Sequence, residues 1–293
     1  MKQINLKDWI QIGAGGNGKT YRPADGSDDK VLLKVNKGKG SKFECVKEEF
    51  ELSCAVAAMG LPTPKMYEVV KVGESYGTLF ERVKNKKSIC RICADDPSRI
   101  EEMAALMSRM VQELHSVECT SDCFRPVKEY AMKGLEFVRG YVKEPEYNTL
   151  KGWIDTMEDT RTCLHGDLNL GNLIVNPDGA WWIDLGRFTY GDPMVDIGHL
   201  YMFTHGETSA FSWSIQLGLQ RLFHMKMRDL HRFWDAFVQA QGVTDKPAYE
   251  ETVRRYVVID ELIGIGLQPS SLGARVIRLS VSRGNIPICK LRD

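Results

Sequence analysis

Apolar residues recur every three or four positions at Ile100, Met103, Ala104, Met107, Met110, Val111 and Leu114, the stripe of one helix face. Pro97 in the first turn, behind Asp95 or Asp96 as a cap, predicts a helix over 97–117. A second helix is expected at about 43–59, stopped by Gly60 and then Leu61-Pro62. Shorter apolar and β-branched runs at 31–35, 66–72 and 78–83 read as strands, the last two joined by the turn at Gly73–Gly77. Leu173–Asn176 and Ala180–Asp184 flank Pro177-Asp178-Gly179 and predict a hairpin. Beyond it, periodic stretches near 193–205, 211–224, 227–241 and 247–266 predict helices. The pattern is that of an α+β chain, sheet-bearing over 1–83 and mainly helical over 84–293.

At 293 residues the chain can bury a large core, as one two-part unit or two domains. Lys plus Arg and Asp plus Glu are both 39, so nothing in the charge favours nonspecific binding to nucleic acid or an anionic membrane. The opening MKQINLKDWI carries no apolar leader, and no run of about 18 apolar residues follows, so a cytoplasmic location is expected. The eight cysteines are scattered, which favours reduced thiols over a disulfide framework. Cys90, Cys93, Cys119 and Cys123 have paired spacing that would suit zinc, but a strong helix separates the pairs. Small side chains at helix ends are the favoured reading.

Residues 13–20, GAGGNGKT, satisfy the phosphate loop of P-loop NTPases, and Gly13, Gly15 and Gly18 also satisfy G-x-G-x-x-G. A P-loop continues into a helix at its Lys-Thr. Here Pro23 and the Asp25-Gly26 pair oppose a helix, and the chain returns as the strand 31–35. Strand, glycine loop, strand, turn and lysine-bearing strand is the order of a kinase N-lobe. In that order Gly13, Gly15, Gly16 and Gly18 offer backbone N–H groups to phosphate. Lys34 offers an ammonium, and a glutamate of the 43–59 helix must hold it. Glu49 shares a face with Val46 and Val56 and is the candidate, with Glu48 its competitor. Glu81-Arg82-Val83, before the polar 84–87, reads as a hinge whose backbone at Glu81 and Val83 would meet a purine edge; a solvated linker fits 84–87 equally well.

The strongest signal is CLHGDLNLGNLIVNPDGAWWIDLG at 163–186. The expected hairpin sets Asn172 at one base and Asp184 at the end of the returning strand, with Asp167 on the loop before it. Phosphoryl transfer needs alignment and countercharge more than covalent help. Asn172 and Asp184 offer hard oxygens to Mg²⁺, and Asp167 would accept a hydrogen bond from an attacking hydroxyl. His165 reads as a support of the loop.

His165-Gly166-Asp167-x-x-x-x-Asn172, Ile183-Asp184-Leu185-Gly186 and Gly191-Asp192-Pro193-x-x-Asp196 together resemble the aminoglycoside phosphotransferase and choline kinase-like family of small-molecule kinases. The resemblance extends to the glycine loop, Lys34, Glu49, the 80–83 segment and Leu114-His115-Ser116. It implies a two-lobed protein-kinase-like fold, with an antiparallel N-lobe sheet plus one helix and a mainly helical C-lobe. It further implies that Asp167 is catalytic, that Asn172 and Asp184 bind metal, that Lys34 binds phosphate of ATP or GTP, and that Asp196, which reads as a helix cap because it starts an apolar stretch, also links to the catalytic loop. The glycine loop departs from the family's commoner forms.

The acceptor is expected to be a small hydroxylated molecule. Residues 200–293 hold nine acids against twelve Lys and Arg, a poor wall for a polycation and better suited to a neutral or anionic metabolite such as a sugar or amino-acid derivative. Trp213, Phe233, Trp234 and Phe237 could stack on such a ligand, but their helical spacing favours core. A nucleotide-sensing pseudokinase and a protein kinase are the rival classes. The pseudokinase is disfavoured by the intact lysine, aspartate and metal ligands. The protein kinase is disfavoured by the short segment between Asp184 and Gly191-Asp192-Pro193.

Overall fold

Residues 1–14, 18–26, 30–206 and 212–269 are described by a computed structural model of the chain. They gather into two compact bodies, one of 1–87 with 173–186, the other of 88–172 with the residues from 187 onward. The hairpin after Asn172, expected with the helical half, groups with the sheet instead.

The first body carries strands β1 (Gln3–Ile4), β2 (Trp9–Ala14), β3 (Gly18–Pro23), β4 (Val31–Asn36), β5 (Met66–Val72) and β6 (Ser75–Glu81) in the order β1-β5-β6-β4-β3-β2. Neighbours are antiparallel except β1 and β5. Side-chain alternation along β4 turns Leu33 into the core with Ile4, Tyr21, Val70, Val72 and Leu79, and so turns Lys34 to the opposite face. Helix α1 (Phe43–Ala58) buries Val46 and Val56. It ends where predicted, with Gly60 at φ 82° donating its N–H to the Ala57 carbonyl.

The chain leaves through the short β7 (Lys87–Ser88) and enters α2 (Ile89–Asp95), α3 (Ile100–His115), α4 (Val127–Val138), α5 (Glu144–Asp155) and β8 (Cys163–Leu164). The predicted stripe of α3 is buried from Ile100 to Leu114. The helix begins later than expected because Pro97–Arg99 form a 3-10 turn, capped by Asp96, which accepts the Ser98 N–H at 3.0 Å. The hairpin strands β9 (Leu173–Asn176) and β10 (Gly179–Trp182) follow, and the returning strand ends two residues before Asp184. Asn176 closes their turn by accepting the N–H groups of Asp178 and Gly179 through Oδ1.

The second body resumes with β11 (Thr189–Tyr190), paired with β8, and helices α6 (Met194–His205), α7 (Ser212–Phe223), α8 (Met227–Ala240) and α9 (Lys246–Leu267). Helix α9 lies unusually close to α4 and α6. A Cβ on Gly134 would stand 1.9 Å from the Leu262 carbonyl oxygen, one on Gly266 2.0 Å from that of Tyr130, and one on Gly198 2.7 Å from the Tyr256 backbone. Gly134 and Gly266 bring α9 close to α4, and Gly198 brings it close to α6. Phe233, Trp234 and Phe237 are fully buried core residues, whereas the Trp213 side chain lies outside the described residues. Cys90 and Cys93 pack into the core from α2, and burial pushes the Cys93 thiol up to about 12. Among the described residues no helix is long and apolar enough to cross a membrane.

Candidate active site

A cavity of about 340 Å³ opens in the first body, a volume suited to a small ligand. Its lining includes Gly18, Lys34, Glu49, Glu81, Val83 and Asp184. β4 and α1 arm it: Lys34 Nζ lies 2.5 Å from Glu49 Oε1, and Asn36 Nδ2 donates to Glu49 Oε2 at 2.8 Å. Two donors on one carboxylate fix the glutamate, and the glutamate fixes the ammonium. Glu48, the competing acid, is exposed. Gly13 faces Thr20 across the β2–β3 ladder and is not part of the lining. Gly15 and Gly16 lie outside the described residues.

Asp184 sits at φ 58°, in the left-handed region that non-glycine residues enter at a cost. Such strain concentrates at functional sites, and here it accompanies an exposed carboxylate on the cavity wall.

The second body holds the His165–Asn172 loop. Gly166 adopts φ 73°, and a Cβ there would meet the Arg187 carbonyl oxygen at 2.1 Å, so only glycine fits. His165 is fully buried, and its Nδ1 accepts the Asp167 N–H at 3.3 Å. Asn172 donates through Nδ2 to the Asp167 carbonyl at 2.8 Å and to Asp167 Oδ2 at 2.9 Å. The sequence motif therefore brings Asp167 and Asn172 into contact.

Asp196 corrects an expectation. It is not a helix cap but stands in the first turn of α6, with no exposure, accepting the N–H groups of His165 and Gly166, both at 2.8 Å, and facing His115 Nε2 at 3.0 Å. The link to the loop is direct. The capping role falls to Asp192, whose Oδ1 accepts the Met194 N–H at 3.0 Å. Burial alone would raise the Asp196 carboxyl, but the hydrogen bond and charge of His115 and the donated Gly166 N–H hold it below the ordinary carboxylate range.

One side chain on Asp167 was missed. His199 Nε2 lies 2.9 Å from Asp167 Oδ1, and its Nδ1 lies 2.6 Å from Asp260 Oδ2. Arg187 donates to Asp260 Oδ1 at 3.0 Å. Burial pushes Asp167 upward, yet the hydrogen bond from His199 and its charge bring it below the usual value. The available signal was the placing of Asp196 and His199 three apart within the apolar run 195–201. Buried polar residues on one helix face need partners.

Magnesium prefers hard oxygen donors, and often takes only one or two from protein while waters and phosphates supply the rest. The Asp184 carboxylate meets that requirement. So does Asn172, whose Nδ2 is engaged by Asp167, leaving Oδ1 as the atom to face a cation. Among the described residues no group of three or more His, Cys, Asp or Glu forms a fuller cage.

Residues 8–232 match the model of the phosphotransferase enzyme family. Among curated proteins the chain is similar to acyl-CoA dehydrogenase family member 10 of Mus musculus, 23% identical over an alignment of 193 residues that covers 58% of this chain. The matched region spans 18% of the mouse protein. The fold is similar to that of aminoglycoside phosphotransferase APH(3'')-Id from Streptomyces rimosus in complex with ADP and streptomycin. That likeness has a TM-score of 0.54 at 18% identity, over 87% of this chain and 92% of that one. Amicoumacin kinase hAmiN in complex with AMP-PNP, Ca²⁺ and Ami gives 0.57 at 12% identity, over 99% and 94%. LicA in complex with AMP gives 0.54 at 15% identity, over 97% and 92%.

Proposed function

The chain belongs to the phosphotransferase enzyme family, and from that premise we propose that it is a small-molecule kinase that moves the γ-phosphoryl group of ATP, or GTP, to a hydroxyl of a small molecule with Mg²⁺. The observation that carries the reading is the meeting of an ammonium held by Glu49 and the carboxylate of Asp184 on the wall of one cavity. A triphosphate needs the first, and a divalent cation paired with it needs the second.

In this mechanism Lys34 neutralises phosphate charge, and Gly18 lets the chain approach it closely. The backbone of Glu81 and Val83 meets the purine. Gly13, Gly15 and Gly16 would contribute further N–H groups of the glycine loop. Asp184 and Asn172 would hold Mg²⁺, which supplies countercharge to the phosphate oxygens when bound. Asp167 accepts a hydrogen bond from the acceptor hydroxyl, aims its lone pair at phosphorus and takes the proton late. A carboxylate held below its usual range is a weak base, and a loose transition state asks for little more.

For the acceptor, the surplus of Lys and Arg over acids in 200–293 supports a neutral or anionic hydroxylated metabolite rather than a polycation. The test is ATP or GTP consumption with Mg²⁺ across sugars, amino alcohols, nucleosides and aminoglycosides. Turnover confined to a neutral or anionic acceptor is expected. Preference for aminoglycosides would contradict the acceptor class, and tight nucleotide binding without turnover on any acceptor would support a sensor.

A further inference from the structure

His199 belongs to none of the motifs above, yet it touches the carboxylate on which the proposed chemistry turns. It is 3% exposed, Phe203 packs on its ring at 4.9 Å, and each ring nitrogen faces a different acid. A neutral imidazole has one N–H and one lone pair, so either tautomer would set a lone pair against a carboxylate oxygen within 3 Å. Only the imidazolium donates in both directions. Arg187 binds the other oxygen of Asp260, so the series Arg187, Asp260, His199, Asp167 alternates in sign from end to end.

We propose that His199 is a positioning residue of the phosphotransfer centre: a resident imidazolium, braced by Asp260 and Arg187, that locks the Asp167 carboxylate in the orientation offered to the acceptor hydroxyl. The proposal rests on Asp167 being the hydroxyl-directed group. With Asn172 on Oδ2 and His199 on Oδ1, both oxygens of Asp167 are tethered and its side-chain torsion is fixed.

The groups acting on His199 come from three directions. Asp260 reaches it from α9, Asp167 from the catalytic loop, and Arg187 from the turn before β11. Burial disfavours the cation, but the charge of Asp260 and the hydrogen bonds to Asp167 and Asp260 outweigh burial and the repulsion of Arg187, pushing the imidazole up to about 9. It therefore stays charged through neutral pH. An ordinary buried histidine would be a neutral packing element with one satisfied nitrogen.

The experiment uses the full chain labelled with ¹⁵N-histidine, together with His199→Gln and Asp260→Asn. One of the six histidines should show two protonated ring nitrogens at pH 7.5, and His199→Gln should remove that signal. Mg-ATP consumption with water as acceptor gives a kinetic readout without a known substrate. His199→Gln should lower kcat roughly 100-fold while KM for ATP stays within about twofold, the mark of lost alignment rather than lost binding. Asp260→Asn should move the alkaline limb of kcat to lower pH. A His199 spectrum with one bare nitrogen overturns the proposal, as does a His199→Gln enzyme with unchanged kcat and pH profile. If His199→Gln fails to fold, the native spectrum and Asp260→Asn decide by the same criteria. Full ATP consumption by Asp167→Asn would sink the reading of Asp167 itself, and is told apart because the native His199 spectrum does not depend on it.

Discussion

The Asp196 carboxylate accepts the Gly166 N–H through Oδ1 at 2.8 Å, across thirty residues of chain and with no exposure to water. Its other oxygen takes the His165 N–H and faces His115, so one helix residue ties down the start of the His165–Asn172 loop. Asp196→Ala would orphan two buried N–H groups and the His115 ring. A loss of about 3–5 kcal/mol is expected, the range for breaking a buried charged network. Thermal unfolding should show Tm lower by roughly 10 °C; an unchanged Tm would mean the loop holds itself.

Lys34 and Glu49 form a partly exposed pair, so their contribution to stability is small, whereas the proposed phosphate-binding role makes their contribution to turnover large. Lys34→Ala is expected to leave Tm nearly unchanged and cut kcat/KM for ATP by about 100-fold or more, as for loss of a charge-stabilising donor. Glu49→Gln keeps the shape but releases the ammonium, and should fall between the two. Steady-state kinetics with Mg-ATP would separate them.

Gly134 tests the architecture away from the chemistry. Alanine there would drive a methyl into the Leu262 carbonyl, forcing α4 and α9 apart. A loss of about 1–3 kcal/mol is expected from overpacking, measurable by urea unfolding. Gly140→Ala has open space at its Cβ and serves as the silent control.

Stability should bend with pH at both ends. Asp167, Asp196 and Asp260 are held below the ordinary carboxylate value, so their share is whole above that value and lost as pH falls through their folded ones. His199 is raised from 6.5 to about 9, so its share is whole below 6.5, shrinks as pH rises, and is gone above about 9. Unfolding free energies at pH 6 to 9 should therefore decline by the slope of about one proton in the native chain. His199→Gln should flatten that decline.

Much of the molecule was legible along the chain because its cues are local. Apolar spacing marked α3 and α6 to α9, Gly60 marked the end of α1, and Pro177-Asp178-Gly179 marked the hairpin. The face shared with Val46 and Val56 singled out Glu49, the acid found on Lys34. What escaped was nonlocal. His199 and Asp260 are 61 residues apart and sit inside apolar helical runs, where periodicity reports burial but not partners. Their meeting follows from the close approach of α9 to α6 at Gly198, which local spacing does not announce. A carboxylate near a helix start suits a cap, whereas the partners of Asp196 lie 30, 31 and 81 residues upstream. Helices α4 and α5 lie where the apolar pattern gave no assignment.

The most direct measurement is single-turnover Mg-ATP consumption by Asp167→Asn beside its nucleotide Kd. If Asp167 aligns the attacking hydroxyl, Kd should stay within about threefold while the chemical rate falls by roughly 1,000-fold or more. A variant that consumes ATP at the native rate, or one that loses nucleotide binding in step with turnover, would contradict that role.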